Sequence, residues 1–451
     1  MMINNKNKLS IIAVAILAAG GIMVETAMNV TFPELTAIFH TSLNSIQWIT
    51  TAYLLAVTVT MTISAYLTKR FGVRLMWILA NLLFVIGSLF AGLATNLGIL
   101  LLGRVLEGIS AGIAMPLMFN LILMLIPRHK IGVWMGIGSM VISLAPSFGP
   151  SYGGALISSL GWRSIFITLL IIPVVSLCLG WFTIPKKTAN HQTPSFDLIA
   201  FILLSIALIS GILTINQFES GTINPVTLSI TAITLLLFIY RSLSSEKTFL
   251  NIRLFKLKSF TLLLIPVTLY MFANLGLGLL IPNYLQTIHH TSSLLAGFSL
   301  LPGTLVGAFL SPLFGSLYDK IGPTKLLITG NFIFTLSVLF MYFVTNNLNL
   351  LMVILSYTIF TIGRSMAFST GMTAAIADVQ INDQNDANAI LQASQMFMGA
   401  AGTTVAALFG SWKIEQGMRN FLLMIIMIAM IIFIMFFLQQ KKVELRNSEY
   451  Q

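Results

Sequence analysis

Charge is what this 451-residue sequence has least of: Asp, Glu, Lys and Arg together make up 8% of it. Soluble domains carry roughly 25%, so the chain lacks the polar surface to face water. Cysteine is scarcer still. Cys178 stands alone, which excludes an internal disulfide and a thiolate metal cluster. Its apolar helical surroundings predict a small buried core residue. Long hydrophilic segments are missing too, so no attached ATPase domain is expected, and no Gly-rich phosphate loop with its Lys occurs. No His-Glu metal spacing and no Ser-His-Asp set is present, so neither an enzyme nor a metal or cofactor site is expected. His289-His290 has no spaced partners and is expected to be exposed rather than metal-binding.

What is present is hydrocarbon. Hydrophobic residues are 57% of the chain and the mean hydropathy is +0.93. The apolar residues fall into long runs, each near the roughly 20 residues that cross a bilayer as a helix. Alternating ten-residue strands, the mark of an outer-membrane barrel, are absent. The expected spans are 9–32, 44–67, 75–94, 97–126, 131–158, 162–184, 197–217, 225–243, 259–285, 293–318, 325–345, 348–377, 387–411 and 419–438. The first follows Lys6 and Lys8 and runs on to Val30, too long for a cleaved signal, so it reads as a spanning helix.

The basic residues alternate by loop. Lys69, Arg70 and Arg74 follow span two, Arg128 and Lys130 span four, Lys186 and Lys187 span six. Lys247, Arg253, Lys256 and Lys258 follow span eight, Lys320 and Lys325 span ten, and Lys441, Lys442 and Arg446 the last span. The other loops hold Arg163, Lys413 and Arg419. This bias predicts a multi-pass membrane protein with an even number of spans and both termini cytoplasmic; a bacterial cell membrane is the expected location. The bias also accounts for the net charge of +11: scattered loop cations are not a nucleic-acid surface, and the lipid bilayer is the expected environment. A monomer is expected.

Inside the runs lie Glu25, Arg104, Glu107 and Arg364. A charge at membrane depth costs about 2.5–3.5 kcal/mol even on the mildest scale and marks function by default. Arg104 and Glu107 are three apart and share a helix face. Burial favours the protonated form of a carboxylate and a nearby Arg the ionised form; a group held between them can load and release a proton. Glu25 is the expected proton and substrate carboxylate, Glu107 a second proton-coupling candidate, and Arg104 the charge that tunes them. A static ion pair of Arg104 with either acid is the structural alternative. Arg364 has no obvious acidic partner and either meets substrate or pairs with backbone carbonyls. Trp48, Tyr53, Phe119, Tyr270, Phe272, Met396 and Phe397 are candidates to line a greasy, adaptable pocket.

Two loops resemble each other. Residues 65–74 read AYLTKRFGVR and residues 315–325 read GSLYDKIGPTK. Gly72 and Gly322 suit a turn at positive φ. The second copy, with Gly315, Leu317, Asp319, Lys320, Gly322 and Lys325, matches G-x-L-x-D-[RK]-x-G-x-x-[RK]. In the first, Ala65 replaces the Gly, Lys69 stands at the usual Asp, and Gly72 and Arg74 are kept. Thr26, Asn29, Val30 and Pro33 end span one, with Glu25 one place after the usual acid. Span four carries Arg104 and Gly108, then Gly112 and Pro116; span five carries APSFGPSYGG, with Pro146, Gly149, Pro150, Gly153 and Gly154. In this order, these motifs resemble the major facilitator superfamily, and within it the fourteen-helix drug:proton antiporters.

The resemblance implies an all-α integral membrane fold: a six-helix bundle in 1–184, two inserted peripheral helices in 185–258, a second six-helix bundle in 259–438 and a cytoplasmic tail in 439–451. Spans one and four would then line a central cavity, and the span-five cluster would form a sliding contact between bundles. The implied activity is proton-coupled export of amphipathic, cationic or neutral drugs by alternating access. The alternative is transport of an anionic or zwitterionic metabolite on Arg104 and Arg364.

Overall fold

The computed structural model describes residues 4–28, 31–41, 43–186, 196–219, 224–245, 249–410 and 413–448. Asn29 and Val30 of the span-one motif, and Lys187 and Lys247, lie outside the described residues. Seventeen α-helices run through the rest. They are α1 (Asn5–Met28), α2 (Phe32–Ile38), α3 (Leu43–Phe71), α4 (Val73–Gly92), α5 (Leu97–Leu125) and α6 (Ile131–Leu160). Then come α7 (Arg163–Leu169), α8 (Ile171–Gly180), α9 (Leu198–Glu219), α10 (Pro225–Ser244), α11 (Lys258–Ile288) and α12 (Ser293–Phe298). The chain ends with α13 (Leu301–Ile321), α14 (Pro323–Phe343), α15 (Leu350–Ala377), α16 (Gln384–Gly410) and α17 (Ile414–Ser448).

Two expected spans are broken, and in each case a proline explains it. Pro173 has no N–H for the Leu169 carbonyl, so span six divides into α7 and α8 at Leu170. Pro302 opens α13, and span ten divides into α12 and α13. Pro146 and Pro150, by contrast, sit inside an unbroken α6. With the divided spans rejoined, 13 segments among the described residues are long and apolar enough to cross a membrane. The fourteenth, α16, carries Asp386, Asn388, Gln392 and Gln395, all buried. Its polarity makes it the least apolar of the expected spans, and its 27 residues would span roughly 40 Å at 1.5 Å per residue, in line with the expected 387–411.

The packing repeats. In the first half α3 and α4 pack on α5, α1 on α5 and α6, and α8 on α1 and α4; in the second half α13 and α14 pack on α15, α11 on α15 and α16, and α17 on α11 and α14. The repeat extends to single residues. Gly108 of α5 meets the Tyr53 backbone of α3, where an added Cβ would lie 2.6 Å from the carbonyl oxygen. In the second half the small residue is on the other helix: Gly303 of α13 meets Tyr357 of α15. Gly112 against Thr60 and Gly307 against Thr361 form the next rung. Each rung needs one residue without a side chain, and either helix can supply it. Gly72 and Gly322 turn the corresponding loops at φ 80° and 75°, where an L side chain would be strained.

The pair α9 and α10 pack on each other, and α9 lies against α16 and α3. Asp197, at the foot of α9, accepts from Arg241 Nε of α10 at 3.0 Å and from the Ala200 amide at 3.1 Å. Burial works to raise the Asp197 pKa, but these donors outweigh it and hold the carboxyl below its ordinary range.

Cys178 corrects an expectation: it is exposed on α8, on the outward face of a helix that buries Pro173, Ser176 and Gly180. His290 is exposed as expected. His289 is half-buried, its ring edge-on to Tyr284 at 5.7 Å, and the Tyr284 hydroxyl donates to the Thr345 carbonyl.

Candidate functional site

Glu25, Arg104 and Glu107 lie where α1, α3, α4 and α5 pack together. Gly87 of α4 and Gly103 of α5 bring those helices together, and a Cβ on Gly87 would lie 2.8 Å from Glu107 Cγ. In the space so kept, Arg104 Nη1 donates to Glu107 Oε2 at 2.5 Å, both side chains fully buried. Ser88 Oγ donates to the other carboxylate oxygen at 2.7 Å. Arg104 Nε donates to the Ile49 carbonyl at 3.3 Å, and its guanidinium carbon lies 4.3 Å from the centre of the Tyr53 ring. Removing one member of such a buried pair strands the other charge, at a cost of about 3–5 kcal/mol.

Glu25 is placed differently. It is half-buried on α1 and makes no hydrogen bond or ion pair among the described residues. Arg104 nonetheless acts on it electrostatically, and Glu25, Arg104 and Glu107 all act on Tyr53. Gly21, one turn earlier on the Glu25 face, lets α1 approach until an added Cβ would sit 3.2 Å from the Tyr53 hydroxyl. Of the two pairings open to Arg104, the observed one is with Glu107. Trp48 is 45% exposed at the far end of α3, apart from the buried Tyr53.

Several pocket candidates are packed away from this site. The Tyr270 hydroxyl donates to Asn331 Oδ1 at 2.8 Å inside the second half. Phe272 stacks on Phe421 of α17 at 6.1 Å. Phe397 touches Gly211 of α9. Phe119 is buried against Gly138 of α6. Met396 is half-buried. A helix crowded on several sides offers several apolar faces, and residue type alone does not choose among them.

The two halves meet at the end that carries Lys69, Arg74, Lys320 and Lys325. There α6 and α13 touch backbone to backbone: a Cβ on Gly315 would lie 1.9 Å from the Gly132 carbonyl oxygen, and one on Gly136 2.4 Å from that of Ser311. Asp319 accepts from the amides of Gly132 at 2.9 Å and Val133 at 3.1 Å, at the start of α6. Lys69 of α3 donates to Asp386 of α16 at 2.9 Å. Deeper in, Asn388 of α16 donates to the Pro116 carbonyl at 2.9 Å and to Asn120 Oδ1 at 2.8 Å. Arg74 stacks over Trp181 at 5.4 Å, and Lys320 and Lys325 are exposed.

The close α6–α13 contact therefore involves Gly132 and Gly136 and not the Pro146–Gly154 cluster. Gly149 packs on Thr26 of α1, within its own half, and Gly154 has open space around it. Pro146 is half-buried, Pro150 exposed and Gly153 buried. The α6–α13 and α3–α16 contacts thus hold the two halves together at the basic end. Gly315→Val is expected to keep α6 and α13 apart and to cut transport at least tenfold, the order of one lost kilocalorie-scale conformational preference. Transport in vesicles holding equal amounts of membrane-inserted protein checks it; wild-type rates would contradict the clamp.

Sequence reasoning did not identify Asp386 or the amides of α16. Their signal was the spacing Asn388, Gln392, Gln395, which puts three carboxamides on one helix face.

The sequence matches the Major Facilitator Superfamily over residues 14–403. It is 31% identical over 403 residues to the lincomycin resistance protein LmrB of Bacillus subtilis, covering 88% of this chain and 84% of that one. It is 29% identical over 384 residues to the riboflavin transporter RibZ of Clostridioides difficile, covering 85% and 83%. Its fold is similar to that of the proton:xylose symporter XylE, with a TM-score of 0.64, 16% identity and coverage of 95% and 96%. With its array of apolar helices, the repeated packing and this match across most of its length, the chain belongs to the major facilitator superfamily and is a multi-pass membrane transporter.

Proposed function

We propose that this transporter exports amphipathic drugs, cationic or neutral, in exchange for protons by alternating access. The basic end and both termini face the cytoplasm in this reading, and two six-helix bundles rock about the α6–α13 contact. The observation that carries it is Glu25: a half-buried carboxylate without a partner among the described residues, near an Arg104 that Glu107 already neutralises. A carboxylate free of fixed partners can hold a proton or a cation in turn. Glu107, with both oxygens bonded, holds Arg104 in place and is the second proton-coupling candidate. The similarity to a lincomycin resistance protein supports the drug class.

One proton exchanged for one monovalent cation moves no net charge, whereas each uncompensated charge is worth about 2.3 kcal/mol per 100 mV. In everted vesicles, uptake of ethidium, rhodamine or a lincosamide is expected to collapse when a proton ionophore is added. Uptake indifferent to the ionophore across the panel would overturn the coupling.

A second reading is transport of an anionic or zwitterionic metabolite. The similarity to a riboflavin transporter favours it. Of its two expected contacts, Arg104 is occupied by Glu107, which leaves Arg364. Competition by organic anions, with no effect of lipophilic cations, would select this reading.

A further inference from the structure

Arg364 is the second buried arginine, and its situation is the reverse of Arg104's. It sits in the middle of α15 and is 4% exposed. It is absent from the ion pairs among the described residues, and its Nε is buried without a hydrogen-bond partner. Its guanidinium carbon lies 5.7 Å from the centre of the Phe368 ring, a contact that supplies no counter-charge.

Other side chains at this depth are also left short of partners. Ser365 Oγ and Ser369 Oγ on α15, Gln392 Nε2 and Gln395 Nε2 on α16, and Ser139 Oγ on α6 are buried and unbonded. Counted from the basic ends of their helices at 1.5 Å per residue, all of them and Arg364 lie roughly 12–20 Å deep. α15 packs on both α6 and α16. The α16 face in question is the one whose Asn388 reaches α5 across the two halves. The amides therefore point between the halves, where a transported molecule must pass. Native interiors leave few buried polar groups unpaired. Here several lie at the depth of one uncompensated positive charge, on its own helix and on two helices packed against it, Ser365 Oγ also facing Gly307 of α13, and they supply donors with no acid among them.

We propose that Arg364, flanked by Ser365 and Ser369 and faced by Gln392 and Gln395, is a subsite for a carboxylate group of the substrate. The transported molecules then include zwitterionic amphiphiles, with a carboxylate on α15 and a cationic end at Glu25; only the cationic end rests on the function proposed above. A carboxylate accepts from a guanidinium by charge-assisted bonds, and the carboxamides and hydroxyls complete its coordination.

A matched pair of probes isolates the carboxylate: tetramethylrhodamine with a free carboxyl group, and its methyl ester. Binding to the purified full-length protein in nanodiscs is read by fluorescence polarisation. Arg364→Gln is expected to weaken the acid roughly tenfold or more, the value of a lost charge-assisted hydrogen bond, while the ester changes less than about twofold. Arg364→Lys should fall between, keeping the charge and losing the fork. Unchanged ester binding shows that the variant is folded. Equal weakening of both probes would make Arg364 a structural or Glu25-directed charge and overturn the subsite, as would an acid that binds no better to wild type than to Arg364→Gln. If neither probe were pumped while the acid still bound through Arg364, the exporter reading would fail and the subsite would stand.

Discussion

Glu25→Gln is expected to abolish drug accumulation driven by a pH gradient in everted vesicles, a loss of at least tenfold, while exchange of labelled for unlabelled neutral drug continues. The amide has nearly the shape of the acid but binds no transported proton, so the step that ties drug movement to proton movement disappears and the moving parts remain. Affinity for a monovalent cationic drug should fall too, because the substitution removes the one carboxylate near the cavity that lacks a partner among the described residues. A neutral drug should lose coupling without losing affinity. Glu25→Asp should keep coupling at a reduced rate, since the acid survives on a shorter stem. Full pH-driven accumulation by Glu25→Gln would end the proposal for this residue. The same result from Glu107→Gln would not serve as well. Glu107 is bonded to both Arg104 and Ser88, and breaking that buried set costs about 3–5 kcal/mol, enough to confuse lost coupling with lost folding.

The contrast between these two acids also marks how far the sequence could be read. Composition and loop charge placed most of the helices to within a few residues, because a bilayer allows few ways to hide a backbone; α17 runs ten residues past the expected end of its span. Misreadings arose where local chemistry overrode that pattern. Pro173 and Pro302 divide runs that hydropathy treats as continuous. Cys178 and Phe397 are both apolar, yet one is exposed and the other meets α9; in a membrane protein lipid, core and cavity all accept such residues. The four intramembrane charges were legible as exceptions to hydrocarbon. Their partners were left open: Arg104 had two acids within reach, and the Ser88 bond that completes the Glu107 site comes from α4, drawn against α5 at Gly87 and Gly103. The amides of α16 were hidden because a helix enclosed by protein need not be apolar.

The second large effect is expected at Lys69, where the two repeats differ in sign. Lys69 and Asp319 occupy equivalent places in the two loop motifs. Asp319 accepts from two amides at the start of α6, the positive end of a helix dipole. At the corresponding start of α16 the carboxylate is already present as Asp386, in the helix's own first turn, and Lys69 reaches across to it. Both clamps thus place one carboxylate at a helix start, and only its source differs. Lys69→Asp would put two carboxylates there, turning an attraction worth about 1 kcal/mol at such partial exposure into a repulsion of similar size. The combined change is enough to move a two-state equilibrium by about tenfold or more. The expected results are a sharp fall in transport and a chamber that opens at the basic end. Cys178 is the sole cysteine, so Cys178→Ser with Ser139→Cys gives one buried reporter between the halves, and its maleimide labelling from the basic side should quicken. Adding Asp386→Asn to Lys69→Asp should restore slow labelling and transport, because Asp at 69 can then serve the start of α16 as Asp319 serves α6. Rescue by that pair, against failure of either change alone, is the signature of a shared site; a double variant no better than Lys69→Asp would mean that the contact is incidental to closure.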